Sequence, residues 1–365
     1  MPKTIRNQFD KKLNYENLMK AHLESRKGKS LRKEIILFNL KQEEYILWLY
    51  EKLKKGTYKH SGYTSFSITD PKFRVIEKSK YIDRIVHRWY VDNFMKEYFM
   101  KSFISTSYAC IENKGMHKAC LDVQNAMKHC KRVWNNYYII KMDVAKYFQN
   151  IDKQILYNIL QRKIKDEKLL WLTREILYSN GWNKGLPIGN YTSQCFANIY
   201  LNEMDQYAKH NLNLKYWYRY MDDMIAMVKT KDEAIEKLYQ IRIFLCQNLG
   251  LELNSKTQIF KSTQGVNFCG YKINEYRLKI RDKGKRKLKK KIKYLKYEIR
   301  NGKMTSKEAQ RYLAGHFGYI KIANVKNLKD KLFYLDIDMT WIFMNYSMGI
   351  SQNRDQLKHE QSLRK

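Results

Sequence analysis

The sequence predicts an α+β fold to about residue 273, followed by an all-helical, strongly basic segment. Apolar residues before residue 273 alternate between a helical period near 3.6 and a strand period of 2. After it, lysine density rises and only the helical period remains. The 365 residues are 44% hydrophobic and 14% aromatic, enough to bury a real core, which excludes a disordered tail. Lys and Arg number 71 against 36 Asp and Glu, leaving +35 that must face water or a polyanion. These charges are spread along the whole chain, which favours nucleic acid over a membrane surface as the partner.

Taken in order, the first 55 residues read as helical, with Ile36, Leu37, Leu40, Leu47 and Tyr50 near a 3.6-residue period until Gly56 stops it. Tyr58 to Ile68 alternates, a strand or hairpin signal closed by Asp70-Pro71. Ile82, Ile85, Val86, Trp89, Tyr90 and Phe94 share one helical face. A short strand is expected from Tyr137 to Asp143, then a helix capped by Asp152. Asn198 to Asn211 is helical in pattern. The apolar runs Trp217–Tyr220 and Met224–Val228 flank an acidic pair like the arms of a hairpin. Ala234 to Leu249 is an amphipathic helix stopped by Gly250, and Val266 to Ile273 is a further strand candidate. Lys283 to Lys296 forms a helix with Leu288, Ile292 and Leu295 on one side and cations on the rest. Two or three helices are expected from there to about Asn345, and Ser351 to Lys365 reads as a polar tail.

No apolar leader follows Met1 and no run of 18 apolar residues occurs, so neither secretion nor membrane spanning is expected. The six cysteines form no C-x-x-C pair; reduced thiols in a cytosolic protein are the expectation, with His117 and Cys120 the nearest approach to zinc spacing.

The chemistry-bearing residues are acidic exceptions in this basic chain. Asp222 and Asp223 lie between apolar half-strands. One such pair is expected by chance, so on its own it is compatible with a solvated turn. Its flanks, Trp217, Tyr218 and Tyr220 before and Met224, Ile225, Met227 and Val228 after, would fix it beside the core. Asp143 ends the apolar strand Tyr138-Ile139-Ile140-Lys141-Met142-Asp143, where an acid costs desolvation unless compensated; a turn or cap is the competing reading. Together the three supply oxygen ligands of the kind that two Mg²⁺ ions roughly 3.5–4 Å apart need for in-line phosphoryl transfer.

Asp143 followed five residues later by Phe148, then Gly185-Leu186-Pro187-Ile188-Gly189-Asn190-Tyr191-Thr192-Ser193-Gln194, then Tyr220-Met221-Asp222-Asp223, resembles the palm motifs of reverse transcriptases in order and spacing. Leu251-Glu252-Leu253-Asn254-Ser255-Lys256-Thr257 and Gly265-Val266-Asn267-Phe268-Cys269-Gly270-Tyr271 extend the match over about residues 56 to 273. Within the family the chain is most similar to the reverse transcriptases of diversity-generating retroelements, in the group II intron-like bacterial lineage. Ile188-Gly189 stands where most members have Gln-Gly, and Ser193-Gln194 where most have Ser-Pro. Asp70-Pro71-Lys72-Phe73-Arg74-Val75-Ile76 with Asp83-Arg84 and His87 also fits that subfamily. Defence-associated bacterial reverse transcriptases share much of this framework.

The resemblance implies a right-hand polymerase fold of fingers, palm and thumb, with an antiparallel palm sheet and a helical thumb. Its domains would be an N-terminal helical extension (1–55), fingers and palm (56–273), a basic thumb (274–350) and a polar tail (351–365). It implies an RNA-directed DNA polymerase, with Asp143, Asp222, Asp223 and the Val144 carbonyl holding two Mg²⁺ ions, for which Mn²⁺ is a substitute. Lys256 matches a lysine that protonates the leaving pyrophosphate. Lys72 and Arg74 would bind the triphosphate, with Arg84 competing and a solvated face as the plain alternative. Phe148 would bar a 2′-hydroxyl, core packing being its alternative, and Ile188, Gly189 and Gln194 would line the nucleotide pocket. Ile188 removes the amide that a faithful enzyme offers there, which implies low fidelity, with errors opposite template adenines in the subfamily. Phe268, Cys269, Gly270 and Tyr271 would form the turn that holds the primer end, though Phe268 fits a core equally. Lys285, Arg286, Lys289, Lys290 and Lys293 would meet nucleic-acid phosphates.

The implied partners are a structured template RNA, its RNA/DNA duplex, deoxynucleoside triphosphates and a small basic accessory protein, in a bacterial or phage-encoded cytoplasmic protein. Residues 274 to 365 are too few and too poor in acids for an RNase H domain, and no zinc-type endonuclease module is expected. A polymerase serving antiviral defence and a non-catalytic RNA-binding protein on the same scaffold are the alternative functions.

Overall fold

The computed structural model describes residues 4–69, 73–325 and 328. It divides into two compact units, residues 1–119 with 137–260 and residues 120–136 with 261 onward.

The first unit opens with helices α1 (Phe9–Lys12), α2 (Tyr15–Arg26), α3 (Lys33–Leu40) and α4 (Gln42–Lys54). Asp166 ties this extension down by accepting from the Gln8 and Phe9 amides at 2.7 and 2.9 Å while capping a later helix. The buried face differs from the one the periodicity predicts. Ile35, Phe38, Ile46, Leu49 and Leu53 are buried, whereas Ile36, Leu37, Leu40 and Leu47 are exposed. The helix breaks at Lys41, with φ −133° and ψ 34°, and α4 restarts there, so one continuous period cannot run through both.

Strands β1 (Tyr63–Ile68) and β2 (Arg74–Ser79) form an antiparallel hairpin, so Tyr58 to Tyr63 leads into one strand of it. Helix α5 (Tyr81–Tyr90) continues as a π-helical turn, Val91–Met95, and the short α6 (Lys96–Tyr98). The expected apolar face is buried at Ile85, Val86, Trp89, Tyr90 and Phe94.

Helix α7 (Met116–Trp134) falls mostly in the second unit. The chain then returns to the first with β3 (Tyr138–Asp143), α8 (Tyr147–Asn150), α9 (Lys153–Lys163), α10 (Glu167–Leu177) and α11 (Tyr191–Gln206). Asp152 caps α9 through the Gln154 and Ile155 amides at 2.9 and 3.1 Å, worth about 1 kcal/mol. A π-helical turn, Tyr207–Asn211, follows α11. Then come β4 (Tyr216–Tyr220), β5 (Asp223–Val228), α12 (Lys231–Leu249) and β6 (Gln258–Lys261). The sheet order is β4-β5-β3-β6, and α12 ends at Gly250 with φ +58°. Helix α12 packs on β3 and β5, which buries residues on both faces of the central strands.

The second unit holds a three-stranded antiparallel sheet of β7 (Val266–Phe268), β8 (Tyr271–Ile273) and β9 (Leu278–Ile280), then α13 (Asp282–Arg300) and α14 (Ser306–Ile320). The single strand expected from Val266 to Ile273 is thus two, because Cys269 and Gly270 take φ +46° and +87° and reverse the chain. Leu288, Ile292 and Leu295 are buried as expected. Lys72, the helices expected near Asn345 and the tail from Ser351 lie outside the described residues. Among the described residues no helix is long and apolar enough to cross a membrane.

Candidate active site

The antiparallel register sets Asp143, the last residue of β3, directly opposite Asp223, the first residue of β5. Residues opposed across such a pair project to one face, so the two carboxylates are neighbours by construction. Tyr220 also pairs with Asp223, leaving Met221 and Asp222 as a two-residue turn. Met221 carries φ +57°, where glycine is the usual occupant, at a cost of about 1–3 kcal/mol that the surroundings must over-determine.

Those surroundings are a buried polar network behind the turn. Arg219 is 0% exposed. Its Nε donates to Asp205 Oδ1 and Oδ2 at 2.9 and 2.8 Å, and its Nη2 donates to Asp205 Oδ2 at 2.6 Å. Its Nη1 donates to Asn198 Oδ1 at 2.9 Å and to the Met221 carbonyl at 3.2 Å. Trp217 Nε1 donates to the same Asp205 carboxylate at 2.8 Å, and Asn198 Nδ2 to the Ala109 carbonyl at 2.8 Å. The guanidinium therefore joins the strained turn to α11. Neither Arg219 nor Asp205 belongs to a motif that the sequence singles out, although a charge alternating with Tyr218 and Tyr220 in an apolar strand is an available signal.

Burial first, and then the charge of Asp143, raise the Asp222 carboxyl above the usual carboxylate range, while the positive charge of Arg74 pulls it back down. Asp223 pairs with the ammonium of Lys141. Asn254 accompanies Asp143: its amide donates to the Asp143 carbonyl at 2.6 Å and its Nδ2 approaches the carboxylate at 3.4 Å. Asn254 Oδ1 also accepts from the Lys256 amide at 3.0 Å, which sets exposed Lys256 in a turn tied to Asp143. The Val144 amide donates to the Asp222 carbonyl at 3.4 Å.

All the acidic donors here are hard oxygens, and an Asp222 carboxyl whose proton affinity is raised by burial and by the charge of Asp143 fits a divalent cation shared with that neighbour. Among the described residues no three His, Cys, Asp or Glu side chains converge closely enough to cage a metal as they stand; the third acid is engaged by Lys141.

The segment Gly185–Gln194 is fastened from two sides. Gly185 and Leu186 donate to the Ile151 and Phe148 carbonyls at 2.9 and 2.8 Å. The Glu77 amide of β2 donates to the Ile188 carbonyl at 3.1 Å. Gly189, at φ +128°, lies so close to β2 that a Cβ would meet the Glu77 carbonyl at 3.1 Å. Ile188 is half-buried and Gln194 is exposed, its Oε1 accepting from Cys110 Sγ at 3.4 Å. Phe148 is half-buried against the core, while Tyr147 beside it is buried and donates to the Ala197 carbonyl. Arg74 is exposed at the start of β2, whereas Arg84 pairs with Glu34 at 2.7 Å and lies over the Tyr81 ring.

His87 supports the same segment: its Nδ1 is 2.6 Å from Thr192 Oγ1, and burial, then the charge of His60, holds its imidazole down to about 3. Asp83, also fully buried, accepts from Tyr58 Oη at 2.7 Å.

In the second unit, Phe268 and Tyr271 are buried and Cys269 and Gly270 form the turn between them. Tyr319 Oη donates to the Gly270 carbonyl, and a Cβ at Gly270 would strike that hydroxyl at 2.5 Å. On α13, Lys285, Lys289 and Lys293 recur every four residues on one strip, with Arg286 and Lys290 on the next.

The model of the family described as Reverse transcriptase (RNA-dependent DNA polymerase) matches residues 57–273. The chain belongs to the reverse transcriptase family. Its fold is accordingly the right-hand polymerase type, and members of the family use divalent metal ions. It is 25% identical over 232 residues to Protein YkfC of Escherichia coli (strain K12), covering 52% of this chain and 60% of that protein. It is 24% identical over 307 residues to the group II intron-encoded protein LtrA of Lactococcus lactis subsp. cremoris, covering 63% and 50%. The chain thus spans between half and three-fifths of the length of these two relatives. Among solved structures it is similar to apo telomerase from Candida tropicalis, at TM-score 0.47 and 13% identity, over 61% of this chain and 49% of that one.

Proposed function

We propose that this reverse transcriptase copies a structured template RNA into cDNA with low fidelity, serving a diversity-generating retroelement. The observation that carries the polymerase reading is the register that sets Asp143 opposite Asp223 with Asp222 in the adjoining turn, inside the matched family region. In this reading Asp143, Asp222, Asp223 and the Val144 carbonyl hold two Mg²⁺ ions. Bound there, the ions supply acidification of the primer 3′-hydroxyl and charge neutralisation at the α-phosphorus.

The chain's own residues do the rest. Arg219 holds the turn that presents Asp222, so its carboxylate is in place before substrate arrives. Arg74, already within electrostatic reach of Asp222, binds the triphosphate, and Lys256 donates a proton to the leaving pyrophosphate. Phe148, its backbone tied to Leu186, stands against the sugar and bars a 2′-hydroxyl. Ile188 offers the incoming base no amide, which loosens discrimination against mispairs.

Extension of a primed RNA template with the four deoxynucleoside triphosphates and Mg²⁺ tests the polymerase reading; absence of product would overturn it. Sequencing the cDNA tests the retroelement reading, with substitutions expected mainly opposite template adenines and reduced in Ile188→Gln. An error spectrum without that bias favours the antiviral-defence alternative. Phe148→Ala is expected to raise ribonucleotide incorporation, and an unchanged sugar preference would remove the gate assignment.

A further inference from the structure

The cations of α13 do not all belong to one kind of surface. Lys285, Lys289 and Lys293 make a cationic strip suited to duplex phosphates, with Asp282 3.2 Å from Lys285 at its start. Around the helix, Arg286 and Lys290 lead at four-residue steps to Tyr294, and Tyr297, four residues past Lys293, stands between this strip and the first; the two rings are 49% and 60% exposed. Helix α14 adds Tyr312, 57% exposed. Lys291 ties the two helices together, with its ammonium 5.2 Å from the Tyr294 ring centroid and 4.5 Å from that of Tyr312. Lone exposed tyrosines are common; Tyr294 and Tyr312 sharing one ammonium across two helices, with Tyr297 one turn on along the most basic helix among the described residues, are a patterned surface.

Duplex bases are stacked on one another and show a protein only their edges and backbone. Unpaired nucleotides present ring faces as well as phosphates, which is the pairing that alternating tyrosines and cations match. We propose that the Tyr294–Tyr297–Tyr312 face of the second unit binds unpaired RNA by stacking, separately from the cationic strip of Lys285, Lys289 and Lys293. This deepens the template-copying reading and rests on it for its biological role. It assigns single-stranded segments of the template to the tyrosine-bearing side of α13 and the copied duplex to the adjoining lysine strip. No Phe or Trp lies on the exposed part of α13 to enter a bilayer, which sets RNA above an anionic membrane as the occupant.

The test uses the full chain and three probes: an unstructured oligoribonucleotide of about 12 nucleotides, an RNA/DNA duplex of equal length, and vesicles containing phosphatidylserine. The variant Tyr294→Ala/Tyr297→Ala/Tyr312→Ala is expected to bind the single strand about 100-fold more weakly and the duplex within about threefold of wild type. The corresponding triple Phe variant keeps the rings and is expected to bind the single strand within about threefold of wild type. All three side chains are exposed, so the Phe variant is expected to melt with wild type and the Ala variant, which loses the two Lys291 contacts, only slightly below it. The proposal is overturned if the Ala variant binds the single strand like wild type, if duplex binding falls in parallel, if the Phe variant fails as the Ala variant does, or if only vesicle binding is lost. Primer extension by the wild-type chain is scored independently. Its absence with ring-dependent RNA binding intact would overturn the polymerase reading and leave this surface standing.

Discussion

The β4–β5 hairpin and helix α13 carry opposite charge and are built by opposite means. The hairpin sets its carboxylates by strand register, a strained Met221 and a fully buried guanidinium bonded to Asp205, Asn198 and the Met221 carbonyl. Helix α13 is anchored by Leu288, Ile292 and Leu295, and most of its cations stand in solvent. Placing a reacting atom demands sub-ångström preorganisation, which a satisfied low-dielectric network supplies. Gathering a polyanion demands only charge density, because counterion release depends on the number of phosphates met rather than on their exact geometry.

The sharpest way to break this contrast is Arg219→Met. Asp205 would be left as a buried, uncompensated carboxylate, and unfolding free energy is expected to fall by about 3–5 kcal/mol, read by urea titration. Extension should fall further than the loss of folded protein explains, since the Met221 carbonyl loses its donor.

His87 tests the same rigid side through pH. Its folded-state pKa of about 3 lies below the ordinary 6.5, so the neutral form stabilises the fold above pH 6.5. That stability drains as pH falls toward 3, because the unfolded chain binds a proton that the folded chain refuses. Between pH 7 and 5 wild type is expected to lose about 2 kcal/mol more than His87→Gln. Equal losses would show that His87 is not buried neutral. Gly189→Ala, with its Cβ forced toward the Glu77 carbonyl at positive φ, is expected to cost about 1 kcal/mol or more and to loosen the nucleotide pocket, seen as a raised KM for deoxynucleotides.

The smallest effect on stability is expected on the other side of the comparison. Lys285→Gln/Lys289→Gln/Lys293→Gln should leave unfolding within about 0.5 kcal/mol of wild type. The slope of log Kd for an RNA/DNA duplex against log salt should nevertheless drop by about 2–3. A large loss of stability with no change in slope would mean that these lysines build the helix rather than bind through it.

The same division explains what was legible in the sequence. The acids at 143, 222 and 223, the cap at Asp152 and the inward Leu288, Ile292 and Leu295 announce themselves locally, through residue type and spacing. Arg219 did not, because its role depends on Asp205 and Asn198 one helix earlier, a pairing that no local period encodes. The α3–α4 face was misassigned because Lys-Glu-Ile-Ile-Leu-Phe-Asn-Leu is apolar nearly all round and the break at Lys41 resets the phase. The turn at Cys269-Gly270 is implied by the family motif, whereas by period alone residues 266 to 273 read as one strand, which positive φ at both turn positions divides.

In the proposed reading three acids in a basic chain, with Lys256 as proton donor, perform the chemistry while the remaining surface only binds. Single-turnover extension of a primed RNA template by Asp143→Asn, Asp222→Asn and Asp223→Asn, alongside RNA affinity for each variant, tests it most directly. Each variant is expected to extend at least about a thousandfold more slowly than wild type while binding RNA at least as tightly, because each removes a negative charge facing the template. Extension at the wild-type rate by any of the three would contradict the account.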